Sequence, residues 1–204
     1  MLDRKRIINF PGMGATGEMH KFLKVNKANL INLNWPDDKT YGSFNSLAER
    51  LIAEYKITNL DVLCGSSMGG MIAAEIGLIV ESNLVVQIGS CTNRESVLLH
   101  RFLGLGCKIT SDLLIKTVGL KGRISMLAKM INQVNPAFIR NSLDNMSKWD
   151  GVKLPNGVLK SVHGMMDPII PYYKEFHDRK IIMGGHFIAL SNPKAVSQFI
   201  DSLV

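Results

Sequence analysis

The sequence predicts an α/β protein built on a parallel sheet, and three observations carry that prediction. Short, β-prone apolar runs alternate with helical patterns over residues 7–89, and strands that alternate with helices pair in parallel through helical crossovers. The rhythm then changes over 92–153 to helical pieces interrupted by glycine and proline. It resumes with two further apolar runs and a final helical pattern. A chain of 204 residues suits one domain with a sizeable core.

Taken in order, Ile7-Ile8-Asn9-Phe10 reads as a strand over 7–10 that ends at the loop Pro11-Gly12-Met13-Gly14-Ala15-Thr16-Gly17. A helix is expected over 18–25 and a strand over 30–34, which stops at Trp35-Pro36; a second helix follows over 43–56. Leu60-Asp61-Val62-Leu63-Cys64 places a strand over 60–65. Met71-Ile72-Ala73-Ala74-Glu75-Ile76 has helical composition, so a helix is expected over 68–80, before a strand over 84–89. Between 92 and 153 no strand pattern is convincing, and Gly104, Gly106, Gly119, Gly122 and Pro136 punctuate the helical pieces. Strands over 157–162 and 180–183 and a helix over 193–203 complete the chain.

Composition excludes several classes. Hydrophobic residues make up 46% and charged residues 20%, which is ordinary for a globular protein and excludes disorder. The three cysteines, Cys64, Cys91 and Cys107, are odd in number and widely spaced, against a disulfide framework or a zinc site. Cys64 reads as a small buried hydrophobe; Cys91 packs or lines a pocket. The basic start is followed by an apolar run too short for a secretory signal, and nothing approaches the roughly 18 apolar residues of a membrane span. A cytoplasmic protein without metal or cofactor is the expectation. The net charge is +7, and the region from Asn93 to Asp150 holds nine Lys/Arg against four acids. That excess is either a solvated face or a field that attracts an anionic substrate or an acidic carrier protein. No helix-turn-helix, zinc or aromatic-basic module points to nucleic acid.

The stretch Gly65-Ser66-Ser67-Met68-Gly69-Gly70 lies where a buried strand ends and a helix begins, the setting of a nucleophile elbow. A serine hydroxyl is a weak nucleophile unless it is exposed, held still and next to a base. The elbow forces Ser67 into a strained turn that only small neighbours can flank, hence Gly65 and Gly69, with Ser66 buried behind it. Val162-His163-Gly164-Met165-Met166-Asp167-Pro168 places an acid beyond the end of another strand, and Met183-Gly184-Gly185-His186-Phe187 places a histidine beyond a third. The chain order is Ser, Asp, His.

These segments resemble the α/β-hydrolase superfamily, whose triad runs in that order at those strand ends. The resemblance spans nearly the whole chain and implies a shortened six-stranded parallel sheet in the order 2-1-3-4-5-6, flanked by helices, with the first two family strands missing. It assigns 92–153 as a helical cap insertion within a single 1–204 domain. It also implies that Ser67 is the nucleophile, His186 the base and Asp167 the acid, with backbone N–H groups of Met13 and Met68 forming the oxyanion hole. Many relatives open the oxyanion loop with His-Gly where this chain has Pro11-Gly12. His163 is expected to satisfy a local hydrogen bond, and His20, His100 and His177 to serve surface or capping roles. Trp35, Met165 and Met166 are expected to border the substrate crevice, Trp35 either as a wall or as an anchor of its loop.

The expected activity is that of a serine esterase or thioesterase acting on a small to medium apolar acyl group, by way of an acyl-enzyme. Small capped members of the family include the carboxylesterase that acts on a pimeloyl-carrier methyl ester, so an acidic acyl carrier protein is a candidate partner. The competing reading is a non-hydrolytic ligand-binding member of the same fold. An intact Ser, Asp and His with an oxyanion loop argues against it.

Overall fold

The computed structural model describes residues 5–37, 40–98 and 124–204. Six parallel strands form one sheet: β1 (Arg6–Phe10), β2 (Asn29–Asn32), β3 (Val62–Ser66), β4 (Val85–Ile88), β5 (Leu159–Gly164) and β6 (Arg179–Ile181). Their spatial order is β2-β1-β3-β4-β5-β6, as expected. The helices are α1 (Phe44–Tyr55), α2 (Met68–Ile79), α3 (Ile124–Gln133), α4 (Pro136–Lys148), α5 (Ile188–Ser191) and α6 (Pro193–Asp201).

The central strands are apolar on both faces because both faces are covered. Every residue of β3 and β4 is buried. Alternation with period two sorts the side chains. Ile8, Leu63 and Val85 face the core shared with α1 and α2, while Ile7, Val62, Cys64 and Val86 face the core shared with α5 and α6. Helix α1 buries Phe44, Leu47, Ala48 and Leu51, an i, i+3, i+4, i+7 stripe. It starts in a capping box in which Ser43 Oγ accepts from Ser46 N–H at 3.0 Å and Ser46 Oγ accepts from Ser43 N–H at 2.8 Å. Residues Met68 to Gly77 of α2 are all buried, which suits a helix covered by the sheet and by α1.

The helix expected over 18–25 is replaced by a single 3-10 turn, Gly17–His20. The physical reason is tertiary. Lys24 N–H donates to Ser197 Oγ at 2.9 Å, and Asn26 N–H and Nδ2–H donate to the Asp201 carboxylate at 2.8 and 3.0 Å. Helix α6 thus supplies the acceptors that a continued helix would have supplied. The strand expected over 180–183 stops at Ile181, and Ile182 and Met183 stand exposed beyond it.

Of the expected insertion, 92–98 and 124–153 lie among the described residues; Gly104, Gly106, Gly119, Gly122, His100 and Cys107 lie outside them. Helix α3 sets Met130 into a cluster with Ala15, Met19 and Leu190, with Phe187 packed against it. It therefore bridges the loop after β1 and the loop that carries His186. Helix α4 stacks Phe138 on Trp35 and Tyr41, with ring centroids 5.6 and 5.5 Å apart. A ladder of polar contacts fixes it there: Tyr41 Oη–H donates to Ser142 Oγ at 3.0 Å, and Asn145 Nδ2–H donates to Tyr41 O at 3.1 Å. After α4, Trp149 Nε1–H donates to the buried Glu75 carboxylate of α2 at 2.6 Å. Among the described residues no helix is long and apolar enough to cross a membrane.

Candidate active site

The site assembles at the carboxyl ends of β1, β3, β5 and β6, where loops distant in sequence converge. Ser67 sits between β3 and α2 with φ +53° and ψ −126°. That backbone region is costly for a residue with a Cβ and persists only where the surroundings enforce it. Here they do. Ser67 N–H donates to Ile88 O at 3.1 Å, and Ser67 O accepts from Gly70 N–H at 2.9 Å and Ser90 Oγ–H at 2.7 Å. The bracketing glycines are required by close approach. A Cβ at Gly65 would lie 2.2 Å from Gly69 O, and one at Gly69 would lie 2.3 Å from both Phe10 O and Pro11 O.

Ser67 Oγ lies 2.8 Å from His186 Nε2, and His186 Nδ1 lies 2.8 Å from Asp167 Oδ2. A carboxylate only accepts, so Nδ1 carries the proton and Nε2 is left to accept from the Ser67 hydroxyl. The acid is tightly held. Asp167 Oδ1 accepts from the N–H groups of Ile169 and Ile170 at 2.8 and 3.0 Å. Burial pushes the Asp167 carboxyl up, but the His186 charge and hydrogen bonds from His163, His186 and Ile170 outweigh it and hold it well below the usual carboxylate range.

His163 makes the local contact expected of it: its Nε2–H donates to Ile170 O at 2.7 Å, and the same nitrogen lies 3.3 Å from Asp167 Oδ2. His177 is not simply a surface residue, because it stacks on His163 at 4.1 Å and reaches Ser161 Oγ through Nδ1 at 2.8 Å. Its expected surface or capping role is corrected accordingly. Burial lowers it to about 4.

The expectation for His20 is overturned outright. It is fully buried, and its Nε2 lies 2.7 Å from Ser66 Oγ, directly behind the elbow. No local signal marks it, because its partner Ser66 lies 46 positions away in the sequence.

The loop after β1 runs alongside the elbow. A Cβ at Gly12 would meet Ser67 Cβ at 3.5 Å. Trp35 Nε1–H donates to Gly12 O at 3.0 Å, which ties the segment after β2 to this loop. Met13 is partly buried beside the main core and Met68 is the first residue of α2. Neither N–H has a partner among the described residues. Met68 N–H lies at the start of α2, where a helix N-terminus carries partial positive charge. Met165 and Met166 are not drawn into the packed surroundings of Ser67. They are 43% and 60% exposed, on a turn whose N–H groups donate to Ile181 O and Gly184 O. Cys64 and Cys91 are buried free thiols, and burial pushes both up to about 12, which leaves them unreactive.

No protein-family model and no curated protein sequence matches the chain. Solved structures do. A thermophilic esterase from Thermogutta terrifontis superposes with a TM-score of 0.74 at 14% identity, over 98% of this chain and 89% of that one. An esterase from Exiguobacterium antarcticum gives 0.74 at 14% identity, over 98% and 91%. A thioesterase from the prodiginine biosynthetic pathway of Streptomyces coelicolor gives 0.67 at 16% identity, over 98% and 85%. At these identities the likeness is one of fold. The sheet order, the strained turn after β3 and the near-complete superposition establish this chain as a protein of the α/β-hydrolase fold.

Proposed function

We propose that the protein is a serine hydrolase that cleaves a carboxylic ester or thioester of a small to medium apolar acyl group. The observation that carries this reading is the unbroken chain from Ser67 Oγ through His186 to Asp167, each link 2.8 Å long, on a serine held in a strained turn. Ser67 attacks the carbonyl carbon as His186 Nε2 takes its proton, and the imidazolium then gives that proton to the leaving alcohol or thiol. Asp167 holds the ring in the required tautomer and stabilises its charge. The carbonyl oxygen, now negative, is received by the N–H groups of Met68 and Met13; losing one such donor costs about 3 kcal/mol in comparable sites. Water, activated by the same histidine, releases the acid from the acyl-enzyme. Esterases and a thioesterase among the structural neighbours support the reaction class.

A fluorophosphonate should add one phosphonyl group to a peptide containing Ser67, and Ser67→Ala should stay unmodified. Labelling at Ser66 instead would overturn the assignment. A panel of acyl chain lengths, offered as free ester, coenzyme A thioester and carrier-linked ester, separates the substrate classes.

A carrier-linked substrate is favoured by one feature. Helix α3 buries Met130 against the oxyanion-loop side of the site while Lys129 stands exposed, and exposed Arg140 follows on α4. An acidic carrier protein would meet positive charge there. Lys129→Glu with Arg140→Glu should raise KM for a carrier-linked ester and leave a small neutral ester unaffected. Salt should weaken the wild-type preference, since the Debye length is about 10 Å at 0.1 M. Equal KM values for both proteins would leave these charges as a solvated face.

A further inference from the structure

Behind the elbow lies a buried polar pair that the reaction above does not use. His20 is 0% and Ser66 2% exposed, and their side chains meet at 2.7 Å. His20 closes the 3-10 turn Gly17–His20, and this turn cradles the oxyanion loop. Gly17 N–H donates to Asn34 Oδ1 at 2.8 Å, pinning the start of the turn to the segment after β2. Met19 Sδ accepts from Gly12 N–H at 3.4 Å, while Trp35 holds Gly12 O from the other side. Gly12 is thus gripped at both its N–H and its C=O, beside Ser67 Cβ and Ser66 O. Among the described residues, His20 to Ser66 is the side-chain hydrogen bond that joins this turn to β3.

The pair is a poor choice for stability. His20 Nδ1 is buried with no partner among the described residues, and a sealed polar atom without a hydrogen bond is destabilising. An apolar ring at position 20 facing a methyl at position 66 would fill similar space without that cost. What the hydrogen bond does supply is a fixed distance between the turn that carries the oxyanion loop and the residue next to the nucleophile.

We propose that His20 is a positioning residue of the active site: through Ser66 it sets the separation of the oxyanion loop from the Ser67 elbow, and so the geometry in which Met13 and Met68 N–H groups receive the oxyanion. This rests on the hydrolase reading. The effect falls on the transition state, because only there does the carbonyl oxygen need both donors at full strength.

The test is the double variant His20→Phe with Ser66→Ala, compared with each single variant and wild type. Thermal stability of the double variant should equal or exceed wild type. Its kcat for a short neutral ester should fall about tenfold or more, toward the roughly hundredfold that ångström-scale misplacement costs, with KM little changed. Affinity for an alkyl boronic acid, which forms a tetrahedral anionic adduct on the serine, should fall by a similar factor. His20→Gln, which keeps a side-chain amide to meet Ser66, should recover part of the loss. A folded double variant with wild-type kcat and boronic acid affinity would overturn the proposal and leave His20 as packing. Wild-type protein that neither turns over esters nor reacts at Ser67 with a fluorophosphonate would instead remove the hydrolase reading, and this proposal with it.

Discussion

Two neighbouring serines stand at the end of β3, and each meets a histidine from a different loop. Ser67 lies 2.8 Å from His186 Nε2 and Ser66 lies 2.7 Å from His20 Nε2. The two pairs differ in what stands behind the ring. His186 Nδ1 donates to Asp167, whereas His20 Nδ1 has no partner among the described residues. They also differ in access: Ser67 is only part-buried, while Ser66 and His20 are sealed. A carboxylate behind an imidazole stabilises the imidazolium, and its absence in a dry site forbids one. Burial accordingly lowers His20 to about 3. One histidine is equipped to accept a proton; the other, with nearly the same contact to its serine, can only hold position.

The sharpest way to break this contrast is to remove each arm and compare turnover. His186→Ala or Asp167→Asn should lower kcat by about 10³ or more with the fold intact, as loss of triad members does elsewhere. His20→Phe should cost far less. Near wild-type turnover in folded His186→Ala protein would make the two histidines equivalent and refute the assignment.

A second variant acts on both arms together. Gly65→Ala places a Cβ within 2.2–2.6 Å of Gly69 and Gly70 backbone atoms, which cannot move without disrupting the start of α2. Stability should fall by several kcal/mol in urea melts, among the large effects reserved for backbone overpacking. Folded Gly65→Ala protein with unchanged melting would show that the elbow tolerates a wider turn.

The smallest effect is on pH dependence. Folded His20 stays neutral down to about pH 3, while in the unfolded chain it takes up a proton near 6.5. Below about 6.5 the unfolded state binds the extra proton, so stability falls as pH falls. This group should contribute a loss of about 1.4 kcal/mol per pH unit across that window, and His20→Phe should lack it. Urea melts of both proteins at about pH 7 and about pH 5 measure the difference. Parallel losses would mean that His20 is reached by water.

Much of the site could be read along the chain because its requirements are local. Gly65, Ser67 and Gly69 at a strand-to-helix junction specify a tight turn by backbone sterics alone. An acid and a histidine just past later strands acquire a common location once those strands are parallel. His20 could not be read that way. Its partner Ser66 is 46 positions distant, and nothing in Gly17-Glu18-Met19-His20 distinguishes a surface turn from one pressed into the sheet edge. For Met165 and Met166, proximity to Asp167 in sequence does not say which way a turn presents its side chains, and both stand exposed.

The sequence by itself therefore determined the fold class and the chain order of Ser67, Asp167 and His186, because periodicity and turn sterics act between near neighbours; the strand order was what the family resemblance implied, and the sheet adopts it. Tertiary structure decided the rest. It stopped the expected helix over 18–25 by offering Ser197 and Asp201 as acceptors, committed Trp35 to the Gly12 carbonyl, and buried His20 behind Ser66 and Ser67. Each of these outcomes turns on where a buried polar group finds its partner, and that partner comes from a part of the chain that only folding brings near.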